Sequence, residues 1–209
     1  MTYIEFKNKY QNIPIINLAS LKGTVKNPES LESNINKWVK KGYIHRLKNN
    51  FYVLNDNDRK VGLSRMFISN NIYAPSYISL EYALFYYGFI PETVFELTAV
   101  SLAKTARFEN YYGFFSYSKI KHELFFGFLN IKDENNMTVF IAEPEKSILD
   151  FIYLRFCKRK KTGDIIEFLN KNRIQNIDKL DKNKYKRFAK KYPKSEMENF
   201  CVIFERNKR

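Results

Sequence analysis

Three carboxylates around residue 145 have the spacing that comes closest to a catalytic site. Glu143 and Glu145 directly follow a predicted strand, and Asp150 lies on a later turn of the predicted helix. A nuclease needs clustered carboxylates that hold a metal beside a phosphate. The structural interpretation is simpler, because Pro144 suits the first position of a helix and acids suit its positive end. We keep a metal-dependent nuclease as an alternative function.

No other arrangement in the sequence is typical of an enzyme. His45 and His122 are widely separated and neither has a ligand spacing, and Cys157 and Cys201 also lack metal spacing. Both cysteines fall on apolar helical stripes and are predicted to be core thiols. There is no glycine-rich phosphate loop and no Gly-x-Ser-x-Gly motif. We therefore expect no cofactor, no metal and no enzymatic activity.

A cationic helix followed by a hairpin indicates nucleic-acid binding instead. Asn27 and Pro28 predict the start of this helix, which is the third after two short helices in residues 3–22. Its apolar face is Leu31, Ile35, Trp38 and Val39. Its opposite face has five polar members without a carboxylate among them: Ser30, Ser33, Asn36, Lys37 and Lys40.

After Gly42 the apolar period changes from helical to alternating. Residues 43–47 and 51–54 are predicted strands, joined by a turn at Lys48, Asn49 and Asn50. Three helices and a hairpin are the order of a winged helix-turn-helix, in which the third helix enters the major groove and the hairpin contacts phosphate. We expect Arg46 and Lys48 to contact phosphate, and the groove contacts to be Ser33, Asn36, Lys37 and Lys40. The alternative is an ordinary solvated face beside an ordinary hairpin.

A second basic spot lies in the middle of the chain. Residues 95–102 and 114–120 are predicted strands, with residues 108–113 as a long hairpin tip between them. Four residues here are candidates for contact with phosphate or an acidic partner: Lys104, Arg107, Tyr111 and Tyr112. A solvated hairpin tip explains them equally well.

The charge of the chain is unevenly distributed. The net charge is +14, with +6 in residues 1–60, −2 in residues 61–156 and +10 in residues 157–209. Basic ends around a near-neutral, aromatic middle favour a polyanionic partner, although a generally lysine-rich proteome would give the same balance. No apolar run approaches the length of a membrane span, and the start of the sequence lacks the pattern of a signal peptide. We expect a cytoplasmic protein.

The remaining patterns predict an α+β protein. Helices are expected over residues 61–73, over 79–87 and from 143 onward, with a strand pair at residues 124–129 and 137–142. The basic tail reads as packed helices, the last of which begins with a capping box of Ser195 and Glu198. Its apolar stripe is Met197, Phe200, Cys201 and Phe204. The predicted fold is an N-terminal winged helix-turn-helix, residues 1–57, followed by an α+β domain, residues 58–209, with an antiparallel sheet and a helical C-terminal tail.

Several motifs follow one another through residues 1–156. The first group is Trp38-Val39-Lys40-Lys41-Gly42-Tyr43, Arg46-Leu47-Lys48 and Tyr52-Val53-Leu54. The second is Tyr77-Ile78-Ser79-Leu80-Glu81-Tyr82-Ala83-Leu84, Tyr87-Gly88 and Ile90-Pro91-Glu92. The third is Lys104-Thr105, Arg107-Phe108, Gly113, Phe115-Ser116-Tyr117, Leu124-Phe125-Phe126-Gly127, Ala142-Glu143-Pro144-Glu145-Lys146 and Leu149-Asp150. In this order they resemble the AbiEi-type antitoxin family of transcriptional regulators.

The resemblance implies a function with two parts. The N-terminal domain is expected to bind double-stranded operator DNA and repress its own operon, as a dimer or cooperatively. The other domain is expected to antagonise a nucleotidyltransferase-like toxin, as in type IV toxin–antitoxin systems of abortive infection. The family often has Gly where this chain has Asn50, which tolerates the same backbone conformation. A stand-alone winged-helix regulator without a toxin partner stays an alternative.

Overall fold

The protein is a mixed α+β structure. The computed structural model describes residues 1–25, 27–158, 165–196 and 199–200, and within them it has eight α-helices and two β-sheets. The predicted fold class is confirmed at this level. Four residues of the predicted last helix lie outside the described residues: Met197, Glu198, Cys201 and Phe204.

The first 54 residues form three helices and a small antiparallel sheet with its strands in the order β1-β3-β2. The elements are α1 (Tyr3–Tyr10), β1 (Ile16–Asn17), α2 (Leu18–Lys22), α3 (Pro28–Lys40), β2 (Ile44–Lys48) and β3 (Phe51–Leu54). The second helix begins at Leu18, because the two residues before it, Ile16 and Asn17, pair with β3. Asn17 then caps α2, as Asn27 caps α3.

A separate hydrophobic core holds these elements together. Three of the four predicted inward residues of α3 are buried, with Ile35 fully inaccessible and Leu31 and Trp38 nearly so, and Val39 is partly buried. They pack against Phe6 from α1 and Ile44 from β2. Periodic apolar residues on a polar helix are enough to predict this packing, because burial of that stripe is the main stabilising force on the helix.

The second sheet has six strands in the order β6-β7-β5-β4-β9-β8. The strands are β4 (Ser76–Ile78), β5 (Leu97–Ser101), β6 (Ala106–Asn110), β7 (Gly113–Lys119), β8 (Phe128–Lys132) and β9 (Thr138–Ala142). Strand β8 begins four residues later than predicted, because His122–Leu124 form a short 3₁₀ turn. The pair β8–β9 is antiparallel, as expected.

The larger sheet is antiparallel only in part, and the prediction of one long hairpin at residues 95–120 was wrong. Strand β5 runs parallel to β7, and β4 runs parallel to β9, so the sheet is mixed. Residues 106–110, placed partly in a loop by the prediction, form the edge strand β6 and pair with β7. In the sequence, an antiparallel hairpin and a parallel pair of strands both show two segments with alternating apolar residues. Only the hydrogen-bond pairing between the strands distinguishes the two arrangements.

Helices cover both faces of this sheet. They are α4 (Arg65–Ile72), α5 (Leu80–Tyr86), α6 (Pro144–Ile152), α7 (Ile165–Lys171) and α8 (Lys182–Ala189). Neighbouring strand residues belong to different cores: Tyr77 packs with α5, α6 and the C-terminal helices, whereas Ile78 packs with α4. The C-terminal segment is helical where it is described, as predicted. No helix of the described part is long and apolar enough to cross a membrane.

The small sheet docks on the large one. Leu47 of β2 and Val53 of β3 are buried in the same core as Phe115 and Tyr117 of β7. The Asn110 side chain at the end of β6 donates a hydrogen bond to the carbonyl oxygen of Leu47 at 3.0 Å. The N-terminal elements are therefore fixed to the central sheet through one face of their hairpin.

Candidate nucleic-acid interface

The outer face of α3 carries the four residues predicted to contact a DNA groove. Ser33, Asn36, Lys37 and Lys40 are exposed and line one shallow surface groove along the helix. Their spacing places them on one stripe opposite the buried Ile35 and Trp38. The helix packs through its apolar side and leaves this polar side accessible.

Two carboxylates extend the groove towards the start of α3. Glu29 and Glu32 also line it, so the face as a whole is not free of acids. Glu32 forms an ion pair with Lys22 of α2, with 2.6 Å between Nζ and Oε2. The surface is therefore acidic at the helix N-terminus and cationic at its C-terminus, which is also the distribution that the helix dipole favours.

Arg46 of β2 joins this face. Its Nη2 donates a hydrogen bond to Oδ1 of Asn36 at 3.0 Å, and the side chain is exposed. The guanidinium also lies 5.5 Å from the centre of the ring of Tyr52, which is the residue of β3 that pairs with Arg46. The structure thus brings together five of the six predicted DNA-contacting residues.

Lys48 is the exception, because its ammonium group points into the protein. Nζ donates to the carbonyl oxygen of Ile72 at 2.8 Å. It lies 4.9–5.3 Å from the ring centres of Phe51, Tyr73 and Phe108. This geometry is a cation–π cage at the end of α4. Burial lowers the pKa of Lys48 from its ordinary value. The prediction of a phosphate contact for Lys48 does not fit this position.

The opposite face of the hairpin carries further contacts with the loop between β6 and β7. His45 stacks on Tyr111 with 3.9 Å between ring centres, and burial lowers the pKa of His45. Tyr112 is half-buried and accepts a hydrogen bond from Arg59 at 2.8 Å. Arg59 in turn pairs with Asp56 at 2.7 Å. Both tyrosines thus help to attach the hairpin to the central sheet.

The four residues of the second predicted contact do not form one site. Lys104 and Arg107 lie near the start of β6, whereas Tyr111 and Tyr112 follow its end, a separation of roughly 13–26 Å along an extended strand. Arg107 is 68% exposed and pairs with Glu96 at 2.9 Å. The backbone carbonyl of the exposed Lys104 accepts a hydrogen bond from Tyr73. The structure therefore does not bring these four residues together at one hairpin tip.

Each of the three carboxylates of the nuclease hypothesis has a partner within the protein, and Glu143 and Glu145 share Lys184. Glu143 pairs with Lys184, and this hydrogen bond raises the pKa of Lys184. Glu145 accepts from the backbone N–H of Asp181 at 2.9 Å. Asp150 is fully buried. No group of three or more His, Cys, Asp or Glu side chains within the described ranges could hold a metal ion.

Asp150 belongs to a buried polar network that the sequence analysis did not foresee. Its carboxylate accepts hydrogen bonds at 2.9 Å from Tyr77, Ser79 and Tyr192, and it also accepts one from Lys146. Lys146 is fully buried as well. Burial lowers the pKa of Lys146, although its pairing with Asp150 opposes the shift. The available signal was a Lys and an Asp four residues apart on a helix whose second half is otherwise apolar.

Comparison with known proteins gives no evidence on function, so the function has to be inferred from these side chains. No protein-family model matches the chain, and no curated protein is similar to it. The resemblance to AbiEi-type regulators is therefore an expectation from motif residues, and the exposed face of α3 with Arg46 is the candidate site that the structure offers.

Proposed function

We propose that residues 1–57 are a winged helix-turn-helix domain that binds double-stranded DNA, and that the protein is a transcriptional repressor. The element order α1-β1-α2-α3-β2-β3 and the strand order β1-β3-β2 support this assignment. In such a domain the third helix enters the major groove. Here that helix is α3, with its polar side accessible.

The observation that carries the proposal is the cluster of donors on this accessible side. Lys37 and Lys40 lie on the last turns of α3, and Arg46 reaches the same surface from β2 through its hydrogen bond to Asn36. Phosphate contacts from Lys and Arg supply most of the non-specific affinity for DNA. A total charge of +14 adds long-range attraction.

The antitoxin part of the proposed function rests on the motif resemblance. We propose that the repressor controls an operon that it shares with a nucleotidyltransferase-like toxin and that it antagonises this toxin without enzymatic activity, as a type IV antitoxin. The contacts of the motif residues Glu143 and Glu145 indicate that these two carboxylates have a structural role. Both hold the start of α6 against the segment that contains Asp181 and Lys184.

DNA binding is tested by fluorescence anisotropy of full-length protein with duplex DNA between 50 and 200 mM salt. Over this range the affinity of a protein that contacts several phosphates should fall by about 10-fold or more. Lys37→Ala should weaken binding to all sequences and lower the salt slope by about one unit, because one phosphate contact is lost. Lys48→Ala should leave the slope unchanged, since its ammonium group is turned into the aromatic cage.

Arg107→Ala is the matched control for loss of an exposed cation. Arg107 lies on β6 and pairs with Glu96, outside the proposed interface. It should leave both the affinity and the salt slope as in the wild type. An equal loss for Lys37→Ala and Arg107→Ala would contradict a defined interface and indicate only general attraction between a basic protein and DNA.

The antitoxin role is tested by co-expression with the adjacent gene. If that gene encodes a nucleotidyltransferase-like protein that arrests growth, the repressor should restore growth in the same cells. Wild-type repression without any rescue would favour a stand-alone regulator. Metal-dependent cleavage of DNA that is abolished by Glu145→Ala would instead support the nuclease.

A further inference from the structure

The hydrogen bond between Arg46 and Asn36 fixes the orientation of the Asn36 amide. A guanidinium group has five N–H donors and no acceptor, so the amide atom that faces Arg46 has to be the oxygen. The 3.0 Å contact joins Nη2 to Oδ1, and the guanidinium also lies 5.5 Å from the centre of the Tyr52 ring. The pair is thus ordered before any ligand arrives.

This orientation changes what Asn36 can recognise. An isolated Asn contacts adenine with two hydrogen bonds, in which Oδ1 accepts from N6 and Nδ2 donates to N7. Arg46 already occupies one of the two lone pairs of Oδ1 and holds a cation beside the other, which disfavours the approach of the adenine amino group, also a donor. The groups best suited to contact a base are therefore donors: the Nδ2 hydrogens of Asn36 and the remaining N–H groups of Arg46.

Guanine is the base whose major-groove edge matches such a set. Its O6 and N7 are both acceptors, and Arg is the most common side chain to contact them. We propose that Asn36 and Arg46 form one reading unit that selects guanine over adenine in the DNA site. This inference deepens the proposed DNA binding and rests on it.

The test is selection of bound duplexes from a random library by the full-length protein, followed by titration of the enriched site and its single-base variants. For the wild type we expect one position at which guanine is preferred over adenine by roughly 5- to 150-fold. Arg46→Ala should remove most of this preference and raise the share of adenine at that position, since Oδ1 of Asn36 becomes free to accept.

Two further variants separate base reading from charge. Arg46→Lys keeps the charge but loses the planar fork, so it should keep most of the affinity for unrelated DNA and lose most of the discrimination. Arg107→Ala should keep both, because Arg107 is paired with Glu96 on β6. Thermal melting of each variant, with a midpoint close to that of the wild type, shows that the fold is intact.

The possible failures are distinguishable. An Arg46→Ala protein that selects the same site with uniformly weaker affinity would make Arg46 a phosphate contact and overturn the inference. Wild-type binding without base preference at any position would overturn it while leaving DNA binding in place. A wild-type protein that binds no duplex would overturn the proposed function and the inference together.

Discussion

Asp150 accepts four hydrogen bonds in a place that water does not reach. Three of the donors are hydroxyl groups, and the fourth is the ammonium group of Lys146. Burial raises the pKa values of Tyr77 and Tyr192 well above their usual range, so both remain protonated donors. A buried charge pair is costly to break because the remaining partner is left without compensation.

We therefore predict that Asp150→Asn destabilises the protein by about 3–5 kcal/mol. Lys146 stays buried in this variant, and its ion pair with the Asp150 carboxylate is lost. Asp178→Asn, the same change at an exposed position, should stay within about 0.5 kcal/mol of the wild type. Urea unfolding measures both. Equal small effects would mean that the network contributes little to stability.

The individual site residues show what a pattern predicts and what it does not. Ser33, Asn36, Lys37 and Lys40 could be placed on one accessible face because helical spacing fixes direction relative to Ile35 and Trp38. Lys48 could not be placed, since its direction depends on Tyr73 and Phe108, which lie far along the chain.

At the scale of elements, the conformation of the hairpin turn follows from the type of one residue. Asn50 has a φ of 67°, in the left-handed region, and its carbonyl accepts a hydrogen bond from the N–H of Leu18 at 2.8 Å. The sequence was sufficient to expect this conformation, because Asn is one of the few residues other than Gly that adopt it readily.

Asn50→Ala should destabilise the protein by about 1–2 kcal/mol, because a Cβ without a compensating side-chain polar group is disfavoured there. Asn50→Gly should be close to neutral. Asn49→Ala is the neighbouring control, at an exposed turn position without a positive φ. The three variants are compared by thermal unfolding, and an Ala variant at position 50 as stable as the Gly variant would argue against the left-handed turn.

The larger sheet was predicted less well than the hairpin. Strands β5, β7, β8 and β9 had predicted counterparts, whereas β4 and the edge strand β6 were not predicted, and the parallel pairing of β5 with β7 did not follow. Pairing of strands is set by contacts between distant segments, such as Leu97 with Phe115, and by the helices that cover each face. Alternation within one strand carries no information about its neighbour's direction.

At the scale of the whole molecule, the two sheets share a core. Trp38 is the only tryptophan and lies in the N-terminal core, so its fluorescence reports on that part of the protein, whereas far-ultraviolet circular dichroism reports on all of it. Leu47 is 2% exposed and packs with the central sheet. We expect the two signals to have coincident midpoints in urea, as two-state unfolding requires.

Leu47→Ala should separate these midpoints, because it removes apolar contact between the sheets at a cost of about 2–5 kcal/mol. Leu31→Ala makes the same truncation inside the N-terminal core and should lower both midpoints together. Separate midpoints already in the wild type would mean that the docked hairpin does not couple the two parts.

The position of Tyr192 has a consequence for the order in which a nascent chain can fold. The N-terminal core needs nothing beyond Leu54, so it can form while the ribosome is still synthesising the central strands. The hydrogen bond between Asp150 and Tyr192 joins residues 42 positions apart in the chain. Until Tyr192 has been added, Asp150 and Lys146 both lack one of their hydrogen-bond partners, so the central domain can reach its final packing only late in translation.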